Sequence, residues 1–136
     1  MKRICVIDGQ GGGIGSLIIK RLKEEFGENI EIIALGTNSI GTSIMLKAKA
    51  NKGATGENAI MKMSKNSDLI VGPLSIIIAN SMLGELTAKM AEAICDSHAK
   101  KILLPLSQEE VEIIGTIKEP LPHLVEDLIN KIKEEI

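Results

Sequence analysis

The sequence predicts an α/β protein of the Rossmann-like, doubly wound class: a mainly parallel sheet of about five strands with helices on both faces. Three observations lead there. Short β-branched runs alternate with stretches of helical spacing, several of those runs stop at glycine or proline, and the first turn carries five glycines in seven residues. Alternation of this kind implies parallel pairing through right-handed crossovers.

Residues 3–7 form a short apolar run that ends at Asp8-Gly9, as a buried parallel strand ends at a turn. From Ile14 the spacing becomes helical: Ile14, Leu17, Ile18 and Leu22 share a face, Lys20, Arg21, Lys23 and Glu24 point away, and Gly27 ends the helix. Residues 30–35 are the second strand, closed by Gly36-Thr37-Asn38, and Ile40, Ile44 and Ala48 then mark a helix running to Ala50. Residues 53–58 have the composition of a loop and lead into a short helix through Met63. Residues 68–72 are the third strand, closed by Gly72-Pro73. Residues 75–94 are helix-permissive, with Ala79, Met82, Leu83, Leu86, Met90 and Ile94 spaced for one buried face; Gly84 can split the helix and Thr87 can cap its second half. That apolar stripe also suits a subunit interface, so a homo-oligomer is expected. Residues 101–106 are read as the fourth strand and residues 111–117 as the fifth, before Leu124, Val125, Leu128, Ile129 and Ile132 announce a final amphipathic helix. No repeat, low-complexity tract or linker interrupts the chain, so residues 1–136 are expected as one domain.

Composition excludes several partners. The chain has 16 Lys and Arg against 18 Asp and Glu, and its one aromatic residue is Phe26, which leaves neither a basic footprint nor stacking platforms for nucleic acid. No segment approaches the roughly 18 apolar residues of a membrane span. The start, with two basic residues and four apolar ones before Asp8, falls short of a secretory apolar region, so no secretory signal is expected. Cys5 and Cys95 lie in a predicted strand and a predicted helix, which suggests no disulfide framework; the cytoplasm is the expected compartment.

In open parallel sheets, ligands sit outside the carboxyl ends of the strands where strand order reverses, so the turns after the first three strands are the places to search. The first is Gly9-Gln10-Gly11-Gly12-Gly13-Ile14-Gly15. Without Cβ atoms this backbone can take positive φ and let an anion approach the unpaired amides of the helix N-terminus, so a phosphate fits without a basic side chain. A tight turn with close helix packing is the competing explanation, but five glycines cost more conformational entropy than that task needs. The dinucleotide spacing Gly-x-Gly-x-x-Gly fails, because residue 14 is Ile counted from Gly9 and residue 16 is Ser counted from Gly11. The triphosphate loop fails as well, since Gly15-Ser16 lacks the lysine that contacts β and γ phosphates.

The spacing of Gly9, Gly13 and Gly15, with its Gly-Ile-Gly ending, resembles the cofactor turn of short-chain dehydrogenases over the first forty residues or so. That resemblance implies a nicotinamide cofactor, but the family's Tyr-x-x-x-Lys pair is missing from a chain without tyrosine. The ribose-binding acid at the end of the second strand is also replaced, by Gly36-Thr37-Asn38. Thr37 or Asn38 can bond a sugar or a 2′-phosphate, or simply cap the next helix. Across its length the chain resembles a small bacterial family of short proteins classed as a domain of unknown function, through residues 6–15, Gly36-Thr37-Asn38, residues 53–60 and Gly72-Pro73. No activity comes with that resemblance.

Asp8, beside the turn, can bind a ligand hydroxyl, an amine or hydrated Mg²⁺, or else satisfy the turn's own amides. Glu57, in Thr55-Gly56-Glu57-Asn58, is the best candidate for an acid or base; a helix start capped by Thr55 explains the same residues. Cys95 and His98 are three apart, but a metal site needs three or four ligands and only Cys5 and His123 remain as soft partners, so no metal is expected. No serine stands in a nucleophile elbow.

The reading that follows is a small nucleotide-binding protein with a sensing or regulatory role, its ligand bearing a phosphate and being NAD(P) or an adenine nucleotide, held by Gly9 to Gly15, Gly36, Thr37, Asn38, Gly72 and Pro73. Two alternatives stay open: a small enzyme for a phosphorylated or carboxylated metabolite, with Asp8, Asn38 and Glu57 converging, and an oligomeric interaction protein whose glycines only shape a turn.

Overall fold

Successive residues of each strand face opposite sides of the sheet, and that alternation sorts the core into two layers. The computed structural model describes residues 1–136. Its elements run β1 (Lys2–Asp8), α1 (Gly13–Phe26), β2 (Ile30–Gly36), α2 (Ser39–Lys47), β3 (Lys52–Thr55), α3 (Glu57–Ser64), β4 (Leu69–Pro73), α4 (Ala88–Asp96), β5 (Lys100–Leu104) and α5 (Leu121–Glu135). On one side Ile4 and Val6 of β1 pack with Ile18, Ile19 and Leu22 of α1 and with Val125, Leu128 and Ile132 of α5. On the other, Cys5 and Ile7 pack with Ile60 of α3 and with Met90 and Ile94 of α4. Each fully buried Ile or Leu contributes about 1.5–3 kcal/mol over leaving it exposed.

The sheet has five strands in the order β3-β2-β1-β4-β5, and every pair is parallel. This is the expected Rossmann-like arrangement. From β1 the chain steps outward through β2 and β3, then returns to β4 on the other side of β1, so strand order reverses between β1 and β4. Because all strands are parallel, Asp8, Gly36, Thr55, Pro73 and Leu104 end at one edge, and a crevice opens where the crossovers diverge. No helix is long and apolar enough to cross a membrane.

Four expectations need correction. Residues 111–117 are not a strand: they follow an irregular path, Gly115 takes φ +93°, and Ile114 and Ile117 are 88% and 78% exposed. Their alternation was strand-like, but no neighbouring strand is there to pair with them. The fifth strand is instead β3, within the stretch expected as a loop. It is a short edge strand of small and polar residues, paired Ala34 to Gly53 and Gly36 to Thr55. An added Cβ at Gly53 would lie 3.0 Å from side-chain atoms of Leu46 and Thr42 of α2, so the helix above favours a small residue there. Such an edge carries no hydrophobic signal to read.

The long helix expected over 75–94 is also broken. A single 3₁₀ turn (Leu74–Ile77) is followed by a coiled segment, and only α4 is helical. Thr87 caps α4, its Oγ1 accepting the Met90 amide at 3.2 Å. Asn80, Met82, Leu83 and Gly84 all have positive φ, which no helix tolerates. Finally, Ile40 is 67% exposed, and α2 turns Gly41, Thr42 and Met45 inward instead.

Candidate functional site

The chain leaves β1 at Asp8 and must turn sharply to start α1. It does so through Gln10, Gly11 and Gly12, all left-handed at φ 42°, 100° and 68°, closed by the Gly12 amide donating to Gly9 O at 2.9 Å. At Gly12 a side chain is doubly excluded, because an added Cβ would also lie 2.6 Å from Gly41 O of α2. Gly9 and Gly15 are held by contact as well, against Thr37 with Met82 and against Met45 respectively.

Gly13 differs from all of these. Its φ is not in the left-handed range, and an added Cβ would meet nothing within 4 Å. It is the exposed first residue of α1, where alanine would suit the helix at least as well. Nothing in the protein requires glycine at this position.

Asp8 is buried, and its carboxylate is engaged with the turn's own amides: Oδ1 accepts from Gly9 N–H at 2.8 Å and Oδ2 from Gly15 N–H at 2.7 Å. Burial pushes its carboxyl above the ordinary aspartate range, while the amides of Gly15, Gly9 and Ile14 pull the other way. Asp8 therefore satisfies two amides of the turn and the helix N-terminus. The amides of Gln10, Gly11 and Gly13 donate to no group of the protein.

Beside two of these residues, Gln10 and Gly13, opens a cavity of about 410 Å³ at the carboxyl ends of β1 and β4. The glycine turn forms one wall through Gly9, Gln10, Gly13 and Ile14, and Pro73 with Ser75 forms the β4 side. Met82 and residues 106–109, the tail of β5, complete it. Asp8 and Glu109 are its only charged lining residues, so no cationic side chain faces it and its donors are backbone amides, hydroxyls and side-chain amides. Ser75, Ser107, Gln108 and Glu109 offer hydroxyl, amide and carboxylate groups at the far side.

The other candidates lie elsewhere. Gly72 is buried beneath the crevice, where an added Cβ would sit 2.4 Å from Ile7 O. Gly36 is closed over by Thr42 of α2. Asn38 caps α2, its Oδ1 accepting the Gly41 amide at 2.8 Å, and both Thr37 Oγ1 and Asn38 Nδ2 donate to Glu85 Oε1, at 2.8 and 2.9 Å. Glu57 opens α3 and accepts from Thr87 Oγ1 at 2.5 Å. It does not reach the cavity, so Asp8, Asn38 and Glu57 do not converge. Thr55 caps nothing: α3 starts after Gly56, and the Thr55 hydroxyl pairs with that of Thr42 at 2.7 Å. No group of three His, Cys, Asp or Glu side chains is placed to hold a metal.

The sequence reading missed Ser75, Met82, Glu85 and residues 106–109. The parallel topology itself could have pointed to the last of these, since β5 ends at the same edge as β1.

A search of curated proteins found no sequence match. In three dimensions the chain is similar to the dodecameric FMN-dependent Ubix-like decarboxylase of Escherichia coli O157:H7, with a TM-score of 0.53 and 13% identity over 98% of this chain and 94% of that one. At that identity the likeness shows the fold alone. In sequence, the model of the family described as Domain of unknown function (DUF3842) matches residues 3–136, and the chain belongs to that family.

Proposed function

We propose that the protein binds a nucleotide in a sensing or regulatory role, with a phosphate seated on the free amides of Gln10, Gly11 and Gly13 and the sugar extending toward residues 106–109. The observation that carries this reading is Gly13: a glycine in the cavity wall that neither its backbone φ nor any neighbouring atom requires. A left-handed turn feeding a helix N-terminus supplies convergent N–H donors for an anion. Glu109 suits the other end of such a ligand, because carboxylates accept hydrogen bonds from sugar hydroxyls.

A convergent acid–base site gains no support, since Glu57 and Asn38 are engaged away from the cavity. NAD(P) loses ground as well, because the tip of β2 is occupied by Glu85. AMP and FMN are the more fitting probes, the latter because a protein of similar fold is described as FMN-dependent. We place the protein in the cytoplasm as a homo-oligomer; exposed Ile114, Ile117 and Leu83 supply apolar surface for self-association, which light scattering reads directly.

The test is thermal unfolding against NAD, NADP, ATP, AMP, coenzyme A, flavins and sugar phosphates. A ligand at 100 times its dissociation constant adds about 2.7 kcal/mol of stability. A selective shift in melting temperature is expected for a nucleotide. No shift anywhere in the panel would remove this reading and favour the interaction protein.

A further inference from the structure

Residues 80–86 form a strap whose fold is unusual and whose job is not burial alone. It is bonded to itself, with the Asn80 amide donating to Leu86 O at 2.7 Å and the Leu86 amide to Ser81 O at 3.2 Å. Ser81 Oγ anchors it to Ser75 O at 2.6 Å. Asn80, Met82 and Leu83 hold left-handed φ of 67°, 58° and 56°, which side-chain-bearing residues rarely adopt unless the surroundings impose it. Leu83 at the tip is 98% exposed, so the strain does not serve to bury it.

The strain does bring two side chains to the carboxyl edge of the sheet. Met82 comes down beside Gly9, where an added Cβ would lie 2.7 Å from its sulfur. The Glu85 carboxylate reaches over the end of β2 and accepts from both Thr37 and Asn38. In parallel nucleotide-binding sheets that place belongs to the adenosine ribose of a dinucleotide, whose hydroxyls an acidic side chain binds. Here an acid stands there too, but it comes from the strap and is spent on the protein's own Thr37 and Asn38. The cavity accordingly runs from the glycine turn toward β4 and β5 and takes in none of Gly36, Thr37 or Asn38.

We propose that the strap sets the ligand's size class: with Glu85 latched to Thr37 and Asn38, the β2 side of the crevice is closed, and the site takes a mononucleotide and rejects a dinucleotide. This rests on the reading that the glycine turn binds a phosphate. Releasing the latch opens the missing half of the site.

Calorimetric titration of AMP, FMN and NAD into the wild type, Glu85→Ala and the double variant Thr37→Val/Asn38→Asp tests it, the two variants breaking the latch from opposite sides while an oxygen that caps α2 is kept at position 38. In the wild type a mononucleotide is expected to bind at least about tenfold tighter than NAD, and in both variants that ratio narrows by about tenfold through tighter NAD binding. A wild type that binds NAD as well as a mononucleotide, or variants that leave the ratio unmoved, would overturn the latch while leaving the phosphate site standing. Failure of all three ligands to bind the wild type would overturn both.

Discussion

The turns after β1 and β2 begin alike and end as opposites. Both leave a buried parallel strand through glycine at the same edge of the sheet, and both lead into a helix. After β2 the protein fills the space itself: Thr42 closes on Gly36, Asn38 caps α2, and Glu85 binds what is left of Thr37 and Asn38. After β1 it fills only part, with Gly41, Met45 and Met82 against Gly12, Gly15 and Gly9, and leaves Gly13 facing open space. A glycine-rich turn is thus a packing device wherever a neighbour occupies the missing Cβ position. It points to a ligand only where none does and the backbone φ does not itself call for glycine, as at Gly13 but not at Gly11.

Substitutions sharpen that contrast. The largest effect is expected from Asp8→Ala, which strips the Gly9 and Gly15 amides of their acceptor in a buried setting. Two unsatisfied donors should cost about 2–5 kcal/mol, measured by urea unfolding. Because burial raises the Asp8 carboxyl, its ionisation works against the folded state, so this group's contribution to stability declines as pH rises through that raised value. Asp8→Asn should lack that component of the pH slope in melting temperature.

Gly12→Ala comes next: left-handed strain plus the clash with Gly41 O should cost about 2–3 kcal/mol, again by urea unfolding. A loss no larger than at an ordinary surface site would mean that α1 and α2 can separate, and that the packed side of the turn is not packed.

A smaller effect concerns the thiols. Cys5 is buried and burial pushes it up to about 11, whereas Cys95 is exposed. A thiol reagent should therefore label Cys95 in the native protein and reach Cys5 only after unfolding. Fast labelling of both would show that the β1 core opens readily.

Much of this architecture is written in period and punctuation. β1, β2 and β4 are buried on both faces and read as apolar runs; α1 and α5 read from their stripes. β3 was illegible because an edge strand under a helix needs small residues rather than apolar ones, as Gly53 shows. Residues 80–86 were illegible for another reason: their apolar spacing matches a helix, and left-handed backbone at Met82 and Leu83 has no sequence signature. For the site, Gly9 to Gly15 announced a turn but not the division of labour within it. That division depends on Gly41, Met45, Thr37 and Met82, which only the fold brings near.

The most direct test of the central claim is titration of AMP and FMN into wild type and Gly13→Ala, alongside their melting curves. The substitution should leave stability unchanged or raise it by up to about 1 kcal/mol. It should also weaken nucleotide binding by at least about tenfold, since the new methyl group enters the space assigned to the phosphate. Equal affinity in the two proteins, or loss of binding only in step with loss of stability, would contradict the account.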